Sequence, residues 1–347
     1  MNQNIFCNPK LLIRGKEIQS ISNATFSDSG NNTLQKLSAT FNEPELEDLN
    51  LFNEKVEFYL NSGSDDSTPL FRGFIKEFTS SSNKLSISAM DPRIFISGKD
   101  ALPIVIDDKN NYDGYTVIQF ITDVLENNLN SNTIILSTEA LKEMDKPIYM
   151  TDERRVSSPY DLIKEKIASQ RDDDDILNIH EYFLNVQHGG LNTSLTLNKT
   201  RSLDSTPDLV YTYRNGIQKL QYKERAPPSF GIAQSKDGDS VRFDYGNAPK
   251  GNVGIQVSSE KELSSRAEAR EAALVEVLLK QEENQEITLT VTKGYFLDLG
   301  SIIRIDVPDS NITGQYRITG KSINFSETNV TCSFNLNSRP IKVSDYI

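Results

Sequence analysis

Four adjacent carboxylates, Asp172-Asp173-Asp174-Asp175, are by residue type the run best suited to gather Ca²⁺ or Mg²⁺. Adjacent side chains cannot all face one point, however, and the D-x-D-x-D-G spacing with a distal Glu is absent, so the run is expected to be a solvated loop at a helix end. The two histidines offer little more. His180-Glu181 has no second histidine at i+4, hence no zinc pair, and His188 reads as part of a hairpin turn, His188-Gly189-Gly190. Gly246-Asn247-Ala248-Pro249-Lys250-Gly251 carries Lys-Gly where a phosphate loop needs Gly-Lys-[Ser/Thr], and is expected to be an ordinary loop. No G-x-S-x-G elbow occurs, and Cys332 alternates with Val330 and Phe334, which marks a core thiol and not a nucleophile. Tyr211, Tyr213 and Tyr222 are the residues that could line a sugar site, though the chain has no Trp and its 16 Phe and 13 Tyr fall mostly on the inward strand phase. The expectation is a protein with no catalytic residue, no cofactor and no bound metal.

Charge and composition narrow the class further. Lys+Arg 37 against Asp+Glu 49 gives a net charge of −12, so there is no general cationic surface with which to displace counterions from nucleic acid, and specific nucleic-acid binding is not expected. The 37% hydrophobic content suffices for packed cores in two or three domains. Cys7 and Cys332 cannot build a disulfide framework. The N-terminal segment lacks a cationic region followed by an apolar one, and no uninterrupted apolar stretch of about 18 residues occurs, so a soluble chain made in a cytosol without stable membrane insertion is expected.

The elements that would position these groups are mostly strands. Leu37/Ala39/Phe41, Val56/Phe58/Leu60 and Leu85/Ile87/Ala89 alternate with polar residues, the period of half-buried strands, and turn clusters separate them. After Asp100 the period changes: Val117, Phe120, Ile121, Val124 and Leu125 build one face of a helix, and Ser158-Pro159-Tyr160-Asp161 caps a second one ahead of Leu162, Ile163 and Ile167. Glu181 to Lys199 reads as a hairpin, as does Tyr211 to Tyr222 around Asn215-Gly216. Ser265-Arg266-Ala267-Glu268 opens a long helix, 265–284, whose apolar stripe Ala267, Leu274, Val277 and Leu278 is expected to pack on a barrel or a neighbouring subunit. The strands Leu289/Val291, Ile303/Ile305/Val307, Tyr316/Ile318, Ile323/Phe325 and Val330/Cys332/Phe334/Leu336 close the chain. The expected class is mainly β with some α+β: a first β-barrel over 1–99, a mixed insert over 100–204 and a second barrel with its helix over 205–347.

The two β regions share an order of events. Lys55 to Phe58, a polar loop, Phe71-Arg72-Gly73-Phe74-Ile75 and Leu85-Ser86-Ile87 are matched by Ile303 to Val307, a loop, Gly314-Gln315-Tyr316-Arg317-Ile318 and Val330 to Phe334, at nearly equal spacing. On these segments, together with Leu70, Thr290-Val291-Thr292-Lys293-Gly294 and Leu299-Gly300-Ser301-Ile302-Ile303, the chain resembles the baseplate hub proteins of contractile-tailed phages and related injection machines, the family of the late control protein D group and the T4 hub. The resemblance is one of pattern, and no long C-terminal spike or lysozyme segment is expected as part of this chain.

What the resemblance implies is a structural protein. It implies a homotrimer in which two tube-like barrels per chain form a ring of six similar modules, with the tail tube protein above, the central spike protein below and other baseplate proteins around it in the virion. The insert would hang on the outer or lower side. A trimer would carry three times the chain's negative charge, which keeps a channel wall from trapping passing DNA. The alternative reading is a tail-associated protein that binds or cleaves glycans.

Overall fold

The alternating segments form strands in a computed structural model that describes residues 9–18, 20–29, 34–42, 50–60, 68–97, 101–106, 112–128, 134–137, 147, 155–168, 182–189, 192–199, 201, 203–224, 230–234, 240–244, 254–256, 273, 285–308, 312–326 and 329–337. The first region supplies β1 (Lys10–Ile13), β2 (Lys16–Ile18), β3 (Ile21–Asp28), β4 (Lys36–Asn42), β5 (Lys55–Tyr59), β6 (Phe71–Ser81) and β7 (Lys84–Met90). The middle region holds β8 (Ile104–Ile106), α1 (Val117–Asn128), β9 (Ile134–Ser137), β10 (Arg155–Ser157), α2 (Pro159–Ala168), β11 (Tyr182–Gly189) and β12 (Asn192–Lys199). The last region contributes β13 (Leu209–Tyr211), β14 (Ile217–Glu224), β15 (Phe230–Gln234), β16 (Ser240–Asp244), β17 (Gly254–Gln256), β18 (Gln285–Val291), β19 (Ile302–Ile305), β20 (Gly314–Ser326) and β21 (Asn329–Asn337). The fold is mainly β, as expected.

Thirteen strands from both ends of the chain make one sheet, in the order β14-β18-β21-β20-β3-β4-β7-β6-β5-β1-β2, with β19 beside β20 and β13 beside β19. One apolar core follows it, from Leu11, Phe41 and Phe58 in the first region to Leu289, Ile305 and Phe334 in the last. The middle region has a core of its own, in which Val117, Phe120, Ile121 and Val124 of α1 meet Leu162 and Ile163 of α2. Both helices start as their residues dictate. Thr116 and Gln119 exchange side-chain to backbone hydrogen bonds at α1, and Ser158 Oγ accepts from the Asp161 amide at α2.

The two halves of the sheet repeat each other at the level of register. The path β3-β4-β7-β6-β5-β1 corresponds to β14-β18-β21-β20-β19-β13. The first strand of each path shifts register at its start, between Ile21 and Asn23 in β3 and between Ile217 and Lys219 in β14. The long strands do so as well, between Ile75 and Glu77 in β6 and between Ile318 and Gly320 in β20. Matching bulges at matching places mark a repeated design, because a bulge flips the buried phase of everything beyond it. In this alignment the counterpart of Leu85 is Cys332 and not Val330, so the spacing from Val56 to Leu85 equals that from Ile303 to Cys332. The halves differ at one end: β1 runs antiparallel to β5 and carries β2 on its other edge, whereas β13 runs parallel to β19 and has no such further strand among the described residues.

Two further expectations are corrected. Asn215-Gly216 does turn the chain, with the Asn215 amide donating to the Thr212 carbonyl at 2.9 Å, but no hairpin follows, because β13 pairs with β19 while β14 pairs with β18. His188 lies within β11, opposite Thr193 of β12, and not in the turn. The three-stranded sheet β16-β15-β17 had no counterpart in the sequence reading.

Candidate functional site at the junction of the sheet halves

The two halves meet where β3 lies antiparallel to the distal part of β20, from Lys321 opposite Asp28 to Ser326 opposite Asn23. The inward phase of this ladder, Ala24, Phe26, Ile323 and Phe325, is buried, and Thr25 donates to Asn324 across its outer face at 3.0 Å. At its end two charged side chains go under. Burial pulls the Lys321 ammonium below its ordinary pKa, against the opposing pull of Asp298, whose carboxylate stands 3.8 Å away. The Asp28 carboxylate accepts from Gln35 Nε2 at 2.8 Å.

Gln35 starts a chain of polar contacts into the middle region. With its amide nitrogen donating to Asp28, its Oε1 accepts from His188 Nε2 at 2.8 Å. That assigns the ring proton to Nε2 and leaves Nδ1, 3.1 Å away, to accept from the Thr193 hydroxyl. Burial pushes the His188 pKa down to about 4, and the nearby Arg72 and Arg93 oppose a positive ring while Asp91 and Glu57 favour it. The Gln35 backbone N–H donates to the Asp91 carboxylate at 2.6 Å. Arg93 grips the same carboxylate through both Nε (2.9 Å) and an amino group (2.8 Å), and reaches Tyr160 of α2 at 2.7 Å. Burial alone would lower the guanidinium pKa, but the charge of Asp91 and its hydrogen bonds hold it above the ordinary value. Arg72 adds a third tie, to Glu57 at 2.7 Å and to the Gly189 carbonyl at 3.2 Å. The arrangement fastens the middle region to the first half of the sheet, right beside the seam with the second half.

A cleft of about 410 Å³ opens over this seam, with Phe26, Asp28, Gln35, His188, Asp298 and Lys321 in its wall. Its chemistry suits positioning. Both nitrogens of His188 are engaged, the ring is neutral at ordinary pH, and the Thr193 hydroxyl that donates to it is buried and does not line the cleft, so the pair is placed to hold β11 and β12 together and not to present a nucleophile. Among the described residues no group of three or more His, Cys, Asp or Glu side chains converges on a point. No helix among the described residues is long and apolar enough to cross a membrane.

Other residues singled out by type fare differently. Cys332 is buried against the strand core, and burial pushes its thiol up to about 12. Tyr211 is buried and donates to the Lys293 carbonyl at 2.9 Å, whereas Tyr213 is 64% exposed, so the three tyrosines do not form a sugar platform. Asp172 to Asp175, His180, the loop from Gly246 to Gly251 and the helix residues Ala267, Leu274, Val277 and Leu278 lie outside the described residues. Within the expected helix, Ala273 is helical and buried. The junction itself escaped the sequence reading. Its only local signal was the length of apolar phase in Ile323/Phe325 beyond Tyr316/Ile318, which the bulge at Ile318 joins into a single strand.

No protein-family model and no curated protein sequence matches the chain. Solved structures do. A tail protein from Neisseria meningitidis MC58 superposes with a TM-score of 0.70 at 14% identity, over 97% of this chain and 98% of that one. The 43 kDa tail protein of prophage MuSo2 from Shewanella oneidensis gives a TM-score of 0.72 at 10% identity, over 96% and 97% of the two chains. An Escherichia coli component of the type VI secretion system, described as structurally similar to the T4 tail proteins gp27 and gp5, gives 0.56 at 12% identity over 96% of this chain and 78% of that one. At such identities the likeness is one of architecture, and over nearly its whole length the chain has the fold of phage and prophage tail proteins.

Proposed function

We propose that the chain is the structural hub of a phage tail or phage-like contractile injection machine, a homotrimer that joins the tail tube above it to the central spike below. In this reading the chain divides at 1–99, 100–204 and 205–347, the first and third parts are two similar modules, and three copies make a ring of six. Such a ring lets a sixfold tube meet a threefold spike. The middle region faces other baseplate proteins, and the helix stripe of Ala267, Leu274, Val277 and Leu278 packs on a module or its neighbour.

The observation that supports this reading is the repetition of six strands with both bulges in register, which a single barrel of unrelated strands has no reason to contain. The role is mechanical and not enzymatic. The seam joins three parts of the chain through satisfied polar contacts, and the net charge of −12 suits a wall past which a polyanion moves. Native mass spectrometry tests the proposal: a species of three times the 39.0 kDa chain is expected, alone or with tube and spike proteins added. A chain that stays monomeric in their presence overturns it.

A further inference from the structure

We propose that neighbouring chains join by a strand pair, with β14 of one copy laid antiparallel on the distal half of β6 of the next, in the register that sets Glu224 opposite Phe78, Lys223 opposite Thr79, Tyr222 opposite Ser80 and Gln221 opposite Ser81. The proposal rests on the ring reading above and names the surfaces that close it.

The repeated register leads to these two surfaces. Within the chain the halves are joined by β3 and β20. The counterpart of β3 is β14, and the counterpart of β20 is β6, so the same pair of surfaces occurs a second time, at separate places in the sheet. Strand β14 and the distal half of β6 do not pair with each other within the chain. Strand β14 ends the sheet, and among the described residues no strand lies along its outer edge. In β6, β5 covers the strand only to Phe74, the backbone of Asn53 and Glu54 takes Ile75, and beyond that β7 is the only strand beside it among the described residues. Carrying the β3 to β20 register across through the matching bulges yields the four pairs above.

Burial distinguishes the used pair from the unused one. Phe26, inside the chain's own junction, is 3% exposed, and its counterpart Tyr222 is 41% exposed. Ala24 is buried and its counterpart Leu220 is half-buried; Ile323 is buried and its counterpart Ser80 is exposed. An edge strand that presents amphipathic residues in the phase of a buried one is a template for strand addition. The occupant is a second copy, because the chain already contains both complementary surfaces and already shows how they fit. A head-to-tail contact of this kind closes into a ring when the step between modules repeats.

The two junctions are not equal. Strand β20 runs on to Ser326 before turning, whereas β6 turns at Ser82 and Asn83, whose φ angles of 51° and 66° end the ladder after Ser81. The contact between chains therefore has four pairs where the internal one has six, with Thr79, Ser80 and Ser81 in place of Ser322, Ile323 and Asn324. It is the weaker of the two, so assembly should be reversible and concentration-dependent.

Cysteine pairing tests the register. Thr79→Cys with Lys223→Cys places two exposed side chains opposite each other, within the Cα separation a disulfide tolerates. Cys7→Ser removes one native thiol, and Cys332 is buried. Mild oxidation should give a covalent trimer that reductant disperses, whereas Thr79→Cys with Lys219→Cys, four positions out of register, should link at least tenfold less. A non-covalent trimer that the matched pair fails to link overturns this contact and leaves the ring reading standing. A chain that stays monomeric with tube and spike proteins present overturns both. A covalent ladder running past three copies supports the strand pair and overturns closure at three.

Discussion

The two halves of the sheet are built on one ladder but filled with different chemistry. In the first half the outer strand β3 carries Ala24, Phe26 and Asp28 into the interior, and β7 leads directly into Asp91 and Arg93, a fully buried and bidentate ion pair. In the second half the corresponding outer strand β14 carries Leu220 and Tyr222 on a partly solvated face, and the buried cation Lys321 meets an exposed Asp298 at 3.8 Å instead of a bidentate partner. The half that is covered by its own chain can be apolar at its edge. On the proposed contact, the half whose edge receives the next copy must stay soluble until it arrives, and a tyrosine between Gln221 and Lys223 does that better than a phenylalanine.

Substitutions can break this comparison at several strengths. Arg93→Met removes the cation that neutralises Asp91, which is fully buried and also receives the Gln35 amide, so a loss of about 3–5 kcal/mol in denaturant unfolding is expected. A loss below about 1 kcal/mol would mean that the ion pair does not anchor the first half to the middle region. Phe26→Ala opens a cavity at the internal junction and should cost about 3–5 kcal/mol, read as a fall in melting temperature.

His188 makes stability depend on pH. Its pKa is about 4 in the fold against an ordinary 6.5, so as pH falls from 6.5 towards 4 the unfolded chain takes up a proton that the folded chain refuses, and stability declines by about 3 kcal/mol across that window. His188→Gln should flatten that part of the profile; an unchanged slope would remove the ring from the account. A smaller effect is expected at Gly73, where the second half has Tyr316 at the same register position. A Cβ there would run into the Met90 carbonyl and the Phe71 ring, so Gly73→Ala should destabilise by about 1–3 kcal/mol. Tyr222→Ala, the counterpart of Phe26→Ala, should leave the unfolding of the isolated chain within about 0.5 kcal/mol. Equal costs at Phe26 and Tyr222 would erase the contrast between the halves.

Local periodicity by itself determined which residues go inside along the strands of the large sheet and along α1, though it did not mark the sheet β16-β15-β17. Leu37, Ala39 and Phe41, the α1 face from Val117 to Leu125, and Cys332 between Val330 and Phe334 all follow from the spacing of apolar residues, as the cap at Ser158 follows from hydroxyl and carboxylate chemistry within one turn. The mainly β class and the repeated order of events were legible for the same reason. Only the tertiary structure decided where strands find partners: that β13 leaves its turn for β19, that β3 closes on β20, and that His188 is drawn into a strand and hydrogen-bonded to Gln35, far away in sequence. Those outcomes depend on which backbone edges remain to be paired and on bulges that shift the buried phase by one residue. The first leaves no mark in the alternation of a single strand, because the pairing energy of an edge belongs to two distant segments at once, and the second leaves only a slip of phase, as from Tyr316/Ile318 to Ile323/Phe325, that does not say which edge it serves.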